Sequence, residues 1–348
     1  MYRFTNDYSE GAHPQILELM ARSNLNQEEG YGNDSLCRQA EQLLKAAIED
    51  ERAAVHFVSG GTQANLIALA SMLKPYESVI SAATGHIFVH EAGAIEATGH
   101  KINVVETPDG KLTPDQVRQV VAQHTDEHMV MPRVVFVSDS TELGTTYSKA
   151  ELESLRRVCT EKHLYLYLDG ARLGSALVSA GADLTLPDVA RLADMFYIGG
   201  TKNGALLGEA MVICNEALQA DFRFHLKQRG ALLAKGRVMG VQFVGLFSGG
   251  LYFELARHAN AMAQRLAAGL KALGYAFLTD STTNMIFPIL PNPLIRFLES
   301  RYAFYVIAPV DEARSTIRLV TSWATPAEKV DEFVAAVKEW CERSAPCN

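Results

Sequence analysis

Cysteine is scarce in this sequence and shows no pattern typical of a site. Five cysteines, an odd number, are widely spread along the chain, and no C-x-x-C pair occurs among Cys37, Cys159, Cys214, Cys341 and Cys347. Zinc and redox sites commonly use such pairs. We therefore expect no metal, and we expect free thiols in a reducing compartment.

Long runs of positive charge and long apolar runs are missing as well. The formal net charge is -8, and basic residues form nothing longer than pairs such as Arg156-Arg157, which argues against nucleic acid or anionic membrane as a partner. No uninterrupted run reaches the roughly 18 apolar residues that span a bilayer, and residues 1–14 lack the features of a secretion signal. We expect a cytoplasmic protein whose partner is a small molecule or another copy of itself.

What the sequence does have is a series of short apolar runs separated by helix-like segments. That alternation is typical of a mainly parallel sheet with helices on both faces. We predict an α/β fold with a seven-stranded sheet, its strands at 53–58, 78–82, 102–106, 133–138, 164–168, 195–198 and 210–214. The short link between the last two strands favours an antiparallel hairpin, which puts Lys202 at a strand end.

The pattern changes after about residue 245. A long helical segment, two or three short strands and a closing amphipathic helix follow, which predicts a smaller C-terminal α+β domain. A chain of 348 residues is also long for a single core. We therefore predict two domains, residues 1–245 and residues 246–348.

The segment FVSGGTQANLIALASML (57–73) predicts a strand, a tight turn and a helix. The first-turn amides of such a helix can bind a phosphate, Gly60 and Gly61 let the backbone approach a ligand, and the Thr62 hydroxyl can donate to it. A plain strand-to-helix turn explains the same residues. The segment is neither a Walker loop nor a G-x-G-x-x-G motif.

Polar residues also follow other predicted strands. Asp169 ends a strongly apolar strand, where a carboxylate can keep a pyridine nitrogen protonated, although capping a helix is the commoner role. His86, or equally His90, can lie over a bound aromatic ring, and a merely solvated histidine is the alternative. Arg318 can hold a carboxylate with two parallel hydrogen bonds, or can be a surface residue of its strand.

The order of these residues along the chain indicates that they belong to one site and do not occur together by chance. A glycine-threonine turn, a histidine, a strand-end aspartate, a lysine about thirty residues later and a distant arginine follow one another. A phosphorylated aldehyde cofactor needs an amine, an anion site, a partner for its ring nitrogen and a face for its ring. The set therefore predicts such a cofactor.

The chain resembles the threonine aldolase family over almost its whole length. The motifs that carry the resemblance are NDYSEG, GYGND, SGGTQAN, GHIFVHEAG, LDGARL, GGTKNGALLGEA and IRLVTSW. The resemblance implies a pyridoxal 5'-phosphate enzyme of fold type I, in the aspartate aminotransferase superfamily. It also implies a reaction, the cleavage of L-threonine or L-allo-threonine, or of a related β-hydroxy amino acid, to glycine and an aldehyde.

The resemblance implies roles for individual residues. Lys202 would hold the cofactor covalently, Asp169 would pair with its pyridine nitrogen, and His86 would stack on its ring. Arg172 would lie near the ring oxygen or the substrate carboxylate. The other residues expected to bind cofactor or substrate are Gly60, Gly61, Thr62, Asn6, Arg318 and, from a neighbouring subunit, Tyr31.

The base that accepts the proton of the substrate's β-hydroxyl stays open at this point. Many relatives have a second histidine in the loop after the fourth strand, where this sequence has Thr141. His86, directly or through water, is the first candidate, and His90 is the second. Lys202 can manage later proton transfer at Cα if burial and nearby cations depress its pKa.

Other interpretations of the same residues exist. A β-eliminating lyase or an aminotransferase would share the lysine, the aspartate and the phosphate turn, and a non-catalytic module could keep the fold. A nucleotide-binding protein would need further motifs that the sequence lacks. The fold implies a homodimer or homotetramer, in which Lys227, Arg229 or Lys235 either reaches a neighbour's phosphate or forms a solvated helix face.

Overall fold

The computed structural model describes residues 1–344. Its strands are β1 (Tyr2–Arg3), β2 (Ala54–Val58), β3 (Glu77–Ala82), β4 (Lys101–Val105), β5 (Met131–Ser138), β6 (Tyr165–Asp169), β7 (Met195–Gly199), β8 (Glu209–Ile213), β9 (Met285–Ile286), β10 (Ile289–Pro291), β11 (Tyr302–Ala303), β12 (Tyr305–Pro309) and β13 (Arg314–Val320).

Helices cover most of the remaining chain. They are α1 (Pro14–Ser23), α2 (Ser35–Ile48), α3 (Gly61–Met72), α4 (His86–Val89), α5 (Pro114–Gln123), α6 (Lys149–Glu161), α7 (Leu173–Leu177), α8 (Leu186–Leu192), α9 (Phe222–Gln228), α10 (Arg237–Phe247), α11 (Leu251–Ala272), α12 (Asn292–Glu299) and α13 (Ala327–Ser344). Two short 3-10 helices lie at Glu96–Thr98 and Glu216–Leu218.

The seven predicted strands form one sheet, in the order β2-β8-β7-β6-β5-β3-β4. Neighbours from β7 to β4 run parallel. Strand β8 is antiparallel to both β7 and β2, with Gly199 opposite Glu209 in the β7 pair. The predicted seven-stranded, mainly parallel sheet and its antiparallel hairpin are therefore confirmed, and the predicted strand bounds hold to within about two residues.

Both faces of the sheet are covered, as the near-continuous apolar runs predict. Along β5, the side chains of Val135 and Val137 pack into a core with helices α2, α5, α6, α8 and α10. Val134 and Phe136 point to the other face and pack with α3 and α9. Alternate side chains of the strand thus pack into two different cores. Burial of each side chain of this size stabilises the folded state by about 1.5–3 kcal/mol.

Local capping fixes where the helices of the sheet begin. Thr113 accepts from the backbone of Gln116 while the Gln116 side chain accepts from the backbone of Thr113, and Ser148 and Glu151 form the same reciprocal pair. Each such cap contributes about 1 kcal/mol to its helix. These caps fix the starts of α5 at Pro114 and of α6 at Lys149.

The C-terminal part is built around the 22-residue helix α11. Strands β10, β13 and β12 form an antiparallel sheet, and β9 also pairs with β13. The first residues of the chain join this part, because β1 pairs with β11 and the fully buried Phe4 packs in its core. Five strands follow α11 in the described residues, so the prediction of two or three was too low.

The described residues bear on three absences that the sequence raised. Within residues 1–344, no single helix is long and apolar enough to cross a membrane, and α10 and α11 reach that length and composition only as a pair bent by 73°. No cluster of three or more metal-ligating side chains occurs in that part of the chain. The four described cysteines are free thiols, while Cys347 lies outside the described residues.

Candidate active site

Five strands deliver polar residues to one edge of the sheet. Strands β3, β5, β6 and β7 are parallel, and β2 runs in the same direction because both β2 and β7 are antiparallel to β8. Ligands of such sheets bind beyond the carboxyl ends of the strands. The residues at or just beyond these ends include Gly60, His86, Glu142, Asp169 and Lys202.

Asp169 is buried at the end of β6, with 4% of its surface exposed. Its Oδ1 accepts hydrogen bonds from the Tyr197 hydroxyl at 2.5 Å and from the backbone N–H of Ala171 at 3.0 Å, and its Oδ2 accepts from Asn65 at 2.9 Å. The N-cap residue of the following helix is Arg172. Asp169 therefore does not cap that helix, and its Oδ2 retains a lone pair for a further donor.

Lys202 lies in the loop that joins β7 to β8 and is only partly exposed. Burial lowers the pKa of its ammonium, and the Arg172 guanidinium lowers it further, while Asp7, Asp169 and Glu209 act in the opposite direction. A hydrated loop lysine would have none of these neighbours. Lys202 is thus surrounded by the charges of the site, and its neutral amine is favoured relative to an ordinary lysine.

Glu209 is a further buried carboxyl beside the lysine loop. It begins β8, and its Oε2 accepts the backbone N–H of Gly200 at 2.9 Å. Burial raises the pKa of Glu209 to about 7, although Thr201, Gly200 and Lys202 pull it down. No role was predicted for this residue, because a glutamate at the start of an apolar strand resembles a solvated strand end.

Arg172 forms a forked ion pair with Asp7. Its Nε and Nη2 donate to the two carboxylate oxygens at 2.7 and 3.0 Å, and Asn284 donates to the same carboxylate at 2.9 Å. Burial opposes the Asp7 charge, but Arg172 and then Lys202 outweigh it, so the pKa of Asp7 is lowered. Two of the guanidinium's donors are therefore already engaged within the protein, a pairing that no motif in the sequence predicts.

Arg318 on β13 has unused hydrogen-bonding capacity. Its Nη2 donates to the carbonyl of Thr5 at 3.3 Å, and its guanidinium lies 5.1 Å from the centroid of the Tyr305 ring. Its Nε is buried and finds no partner among residues 1–344. Burial, followed by Arg172, lowers the pKa of Arg318. A buried guanidinium nitrogen without a partner fits an anion that binds there.

The turn between β2 and α3 also has free donors. Gly60 is the N-cap residue, and no side chain among residues 1–344 caps the helix there. A Cβ at Gly61 would lie 3.0 Å from the Tyr197 hydroxyl, which is too close for most side chains, whereas Thr62 is exposed. The first-turn amides therefore have no side-chain acceptor among residues 1–344, and they lie at the edge that carries Asp169 and Lys202.

The His86 ring is held by a buried glutamate. Its Nδ1 lies 2.7 Å from Glu91 Oε1, and the side chain of Glu91 is completely buried while that of His86 is 31% exposed. The neighbouring His90 is exposed, with its ring centroid 5.6 Å from that of His86. Burial, followed by His86, lowers the pKa of His90. Glu91 had no predicted role, because a glutamate in a glycine-rich loop is usually solvated.

Three other residues singled out in the sequence lie as follows. Thr141 is fully buried, and its hydroxyl is 2.7 Å from that of Thr145. Asn6 uses its side-chain oxygen to accept from the backbone N–H of Tyr8 at 3.0 Å, one residue from Asp7. Tyr31 lines a separate cavity of about 420 Å³ with Glu29, Arg38 and Arg223, and Lys227 lies over its ring at 4.7 Å.

Comparison with known proteins adds to this geometry. A model of the Beta-eliminating lyase family matches residues 5–292. The chain is 33% identical over 340 residues to the low specificity L-threonine aldolase of Pseudomonas aeruginosa, and the match covers 97% of each chain. The structure of Leishmania major threonine aldolase matches with a TM-score of 0.97 at 49% identity, over 98% of this chain and 99% of that one.

A more distant match concerns the fold alone. An aspartate aminotransferase of Thermus thermophilus matches with a TM-score of 0.73 at 18% identity, over 97% of this chain and 91% of that one. The predicted fold, fold type I with a mainly parallel sheet and a small C-terminal α+β part, is confirmed.

Proposed function

The chain belongs to the Beta-eliminating lyase family, and on that premise we propose that it cleaves L-threonine, L-allo-threonine or a related β-hydroxy-α-amino acid to glycine and an aldehyde. The observation that carries the proposal is the meeting of Lys202, Asp169 and His86 at one edge of the sheet. The threonine aldolases among its relatives support the type of reaction.

The cofactor of this reaction is pyridoxal 5'-phosphate, and the residues at the sheet edge fit it. The free lone pair on Asp169 Oδ2 suits a pyridinium N–H, and the open first-turn amides of α3 suit a phosphate. Lys202, with its lowered pKa, is the amine that would hold the aldehyde carbon. When bound, this cofactor withdraws the electron pair that bond cleavage leaves on the substrate's Cα.

We assign the substrate's carboxylate to Arg318, assisted by Arg172 and Asn6. Arg318 has a buried Nε without a partner among residues 1–344, whereas two donors of Arg172 already bind Asp7. Fixing the carboxylate decides which bond at Cα stands perpendicular to the cofactor ring and can break. In this assignment Arg318 holds the substrate carboxylate in place. The N–H donors of Arg172 that do not bind Asp7, and its positive charge, assist Arg318.

The proton of the β-hydroxyl needs an acceptor at the site. His86 is the first candidate and His90 the second, since both lie on the segment after β3. Cleavage transfers this proton to the base, breaks the Cα–Cβ bond and releases the aldehyde. Lys202 is favoured in its neutral form, so it can return a proton to Cα afterwards.

Product analysis separates this function from its rivals. We expect the purified protein with the cofactor to convert L-threonine or L-allo-threonine to glycine and acetaldehyde in equal amounts, and the Lys202→Ala variant to lose this activity. Ammonia with a keto acid would instead indicate a β-eliminating lyase, and a new amino acid would indicate an aminotransferase. No turnover of any of these substrates would favour a non-catalytic module.

The proposal also covers the oligomeric state, the domains and the cellular location of the protein. We propose a homodimer or homotetramer in which Tyr31 borders a neighbour's site and Lys227, Arg229 or Lys235 approaches its phosphate. The Tyr31 ring is 45% exposed and is supported by Lys227, which suits such a role. We also retain the division into residues 1–245 and 246–348, with β1 and Phe4 packed against the second domain. We propose a cytoplasmic location as well, which the free thiols support.

A further inference from the structure

A buried chain of hydrogen bonds runs from His86 to Asp169. The Tyr167 hydroxyl donates to Asn65 Oδ1 at 3.0 Å. The amide nitrogen of Asn65 donates to Glu91 Oε1 at 2.7 Å and to Asp169 Oδ2 at 2.9 Å. His86 Nδ1 completes the chain, 2.7 Å from the same Glu91 oxygen.

The chain fixes where its hydrogen atoms lie. Because the Asn65 side chain faces two carboxylates, which accept but do not donate, its NH2 group must lie on their side, and its Oδ1 accepts from the Tyr167 hydroxyl. Glu91 Oε1 is then an acceptor already. With Glu91 ionised, the hydrogen in the short contact between that oxygen and His86 is the one on Nδ1. Nε2 of a neutral His86 is therefore left with its lone pair.

Because Glu91 is buried, its contact with His86 affects the charge that the imidazole can carry. Its side chain is fully buried, while the His86 ring keeps part of its surface exposed. A carboxylate so placed stabilises the positive charge that forms when the imidazole accepts a proton. The other titratable groups that face His86 are His90, which lies beside its ring, and Glu142, whose Oε1 accepts the backbone N–H of His86 at 2.9 Å.

We propose that Glu91 is a positioning residue that, together with Asn65, holds His86 in the tautomer with a free Nε2 and makes it the base for the β-hydroxyl. The inference rests on the proposed aldol cleavage. The hydroxyl proton moves to Nε2, the Cα–Cβ bond breaks with its electron pair left on Cα, and the β-carbon leaves as the aldehyde. The Nδ1 hydrogen stays on the bond to Glu91. His90 is exposed, and no such carboxylate holds its ring among residues 1–344.

Two substitutions separate the charge of Glu91 from its hydrogen bond. In Glu91→Gln the side-chain oxygen can still accept from Asn65 and His86, so the tautomer is kept while the charge is lost. In Glu91→Leu both are lost. The exposed Glu96→Gln, in the same segment, is the matched control.

The first readout is the tautomer of His86, measured by nitrogen-15 NMR with and without the cofactor and assigned with His86→Gln. We expect hydrogen on Nδ1 in the wild type and in Glu91→Gln, and a mixture or the opposite tautomer in Glu91→Leu. This measurement needs no turnover. If the wild type held the tautomer but produced no aldehyde, the proposed function would fail and the assignment of the hydrogen would stand.

The second readout is the rate of cleavage with L-threonine. We expect kcat to fall about 10- to 100-fold in Glu91→Gln and about 100-fold or more in Glu91→Leu, with KM changed only a few-fold. Cofactor binding and the Glu96→Gln rate should stay near the wild type. Hydrogen on Nε2 in the wild type, unchanged kcat in Glu91→Leu, or a loss in His90→Gln that exceeds the loss in His86→Gln would overturn the proposal.

Discussion

Arg172 and Asp7 lie 165 positions apart in the sequence and form a forked ion pair, with donor to acceptor distances of 2.7 and 3.0 Å. Asp7 belongs to the N-terminal segment, and Arg172 follows β6 at the sheet edge. The pair thus fastens the start of the chain to the edge that carries Lys202. It also engages two of the donors of Arg172, which leaves Arg318 as the less committed arginine of the site.

The Asp7→Asn variant should be markedly less stable than the wild type. Removing one partner of a buried pair leaves the other charge uncompensated and costs about 3–5 kcal/mol. The matched control is Asp331→Asn, because the Arg265–Asp331 pair is half exposed on both sides and should contribute no more than about 1 kcal/mol. Urea unfolding at pH 7 measures both, and equal losses would contradict the structural role given to Asp7.

The same pair should give the stability a recognisable pH dependence. The pKa of Asp7 is lowered in the folded protein, so its contribution is present above the unfolded pKa of about 4 and is lost as the pH falls through the folded value. The difference in unfolding free energy between the wild type and Asp7→Asn should therefore shrink on acidification below about pH 4. A difference that grew there would contradict the assignment.

Arg318→Lys should weaken substrate binding more than it slows the chemical step. A lysine cannot offer two parallel donors to a carboxylate, and the loss of a charged hydrogen bond of about 1.5–3 kcal/mol corresponds to roughly a 10- to 100-fold higher KM. Arg314→Lys on the same strand is the control, since that side chain is half exposed and pairs with Asp311. Steady-state kinetics that showed equal KM values for both variants would argue against Arg318 as the carboxylate ligand.

Glu209→Gln should change how stability varies between pH 5 and pH 8. Burial raises the pKa of Glu209 from 4.5 to about 7, so the folded state binds a proton that the unfolded state releases. That contribution is complete below about pH 4.5 and is lost as the pH rises through 7. Relative to the variant, the wild type should lose on the order of 2–3 kcal/mol over this interval.

Unfolding free energies of both proteins at several pH values provide the check. The exposed Glu254→Gln, in the first turn of α11, serves as the control and should parallel the wild type. A wild type that ran parallel to Glu209→Gln across the interval would show that Glu209 is already ionised at low pH.

Gly61→Ala should weaken cofactor binding without unfolding the protein. The added Cβ would lie 3.0 Å from the Tyr197 hydroxyl, which must then shift and weaken its 2.5 Å hydrogen bond to Asp169. We expect the Kd of the cofactor to rise about 10-fold, which corresponds to about 1.4 kcal/mol. Gly249→Ala, where no atom lies within 4 Å of the new Cβ, should bind as the wild type does; equal effects would contradict the role of the turn.

The sheet could be predicted from the sequence because its signals are local. Each buried strand is a short apolar run, and capping boxes such as Thr113 with Gln116 mark the helices. The small strands of the C-terminal part were undercounted, because β9 and β11 have only two residues each and carry no measurable periodicity. Pairing with a neighbour, rather than local sequence, defines such strands.

The site was predictable only in part. Residues that lie in family motifs and have one dominant chemistry, such as Lys202 and Asp169, could be placed at the sheet edge from strand order alone. Asp7, Asn65 and Glu91 could not be assigned, because most of their partners lie 26 to 277 positions away in the sequence. A polar residue in a loop or on a helix face looks solvated until the fold brings its partner to it.

The central claim is that Lys202 holds the cofactor for the cleavage of a β-hydroxy amino acid. Borohydride reduction of the cofactor-loaded protein, followed by peptide mass spectrometry, tests it most directly. We expect a cofactor adduct on Lys202, and we expect it to be absent when the protein is reduced in the presence of saturating glycine, which displaces the lysine. An adduct confined to another lysine, or no adduct in a protein that still releases aldehyde from L-threonine, would contradict it.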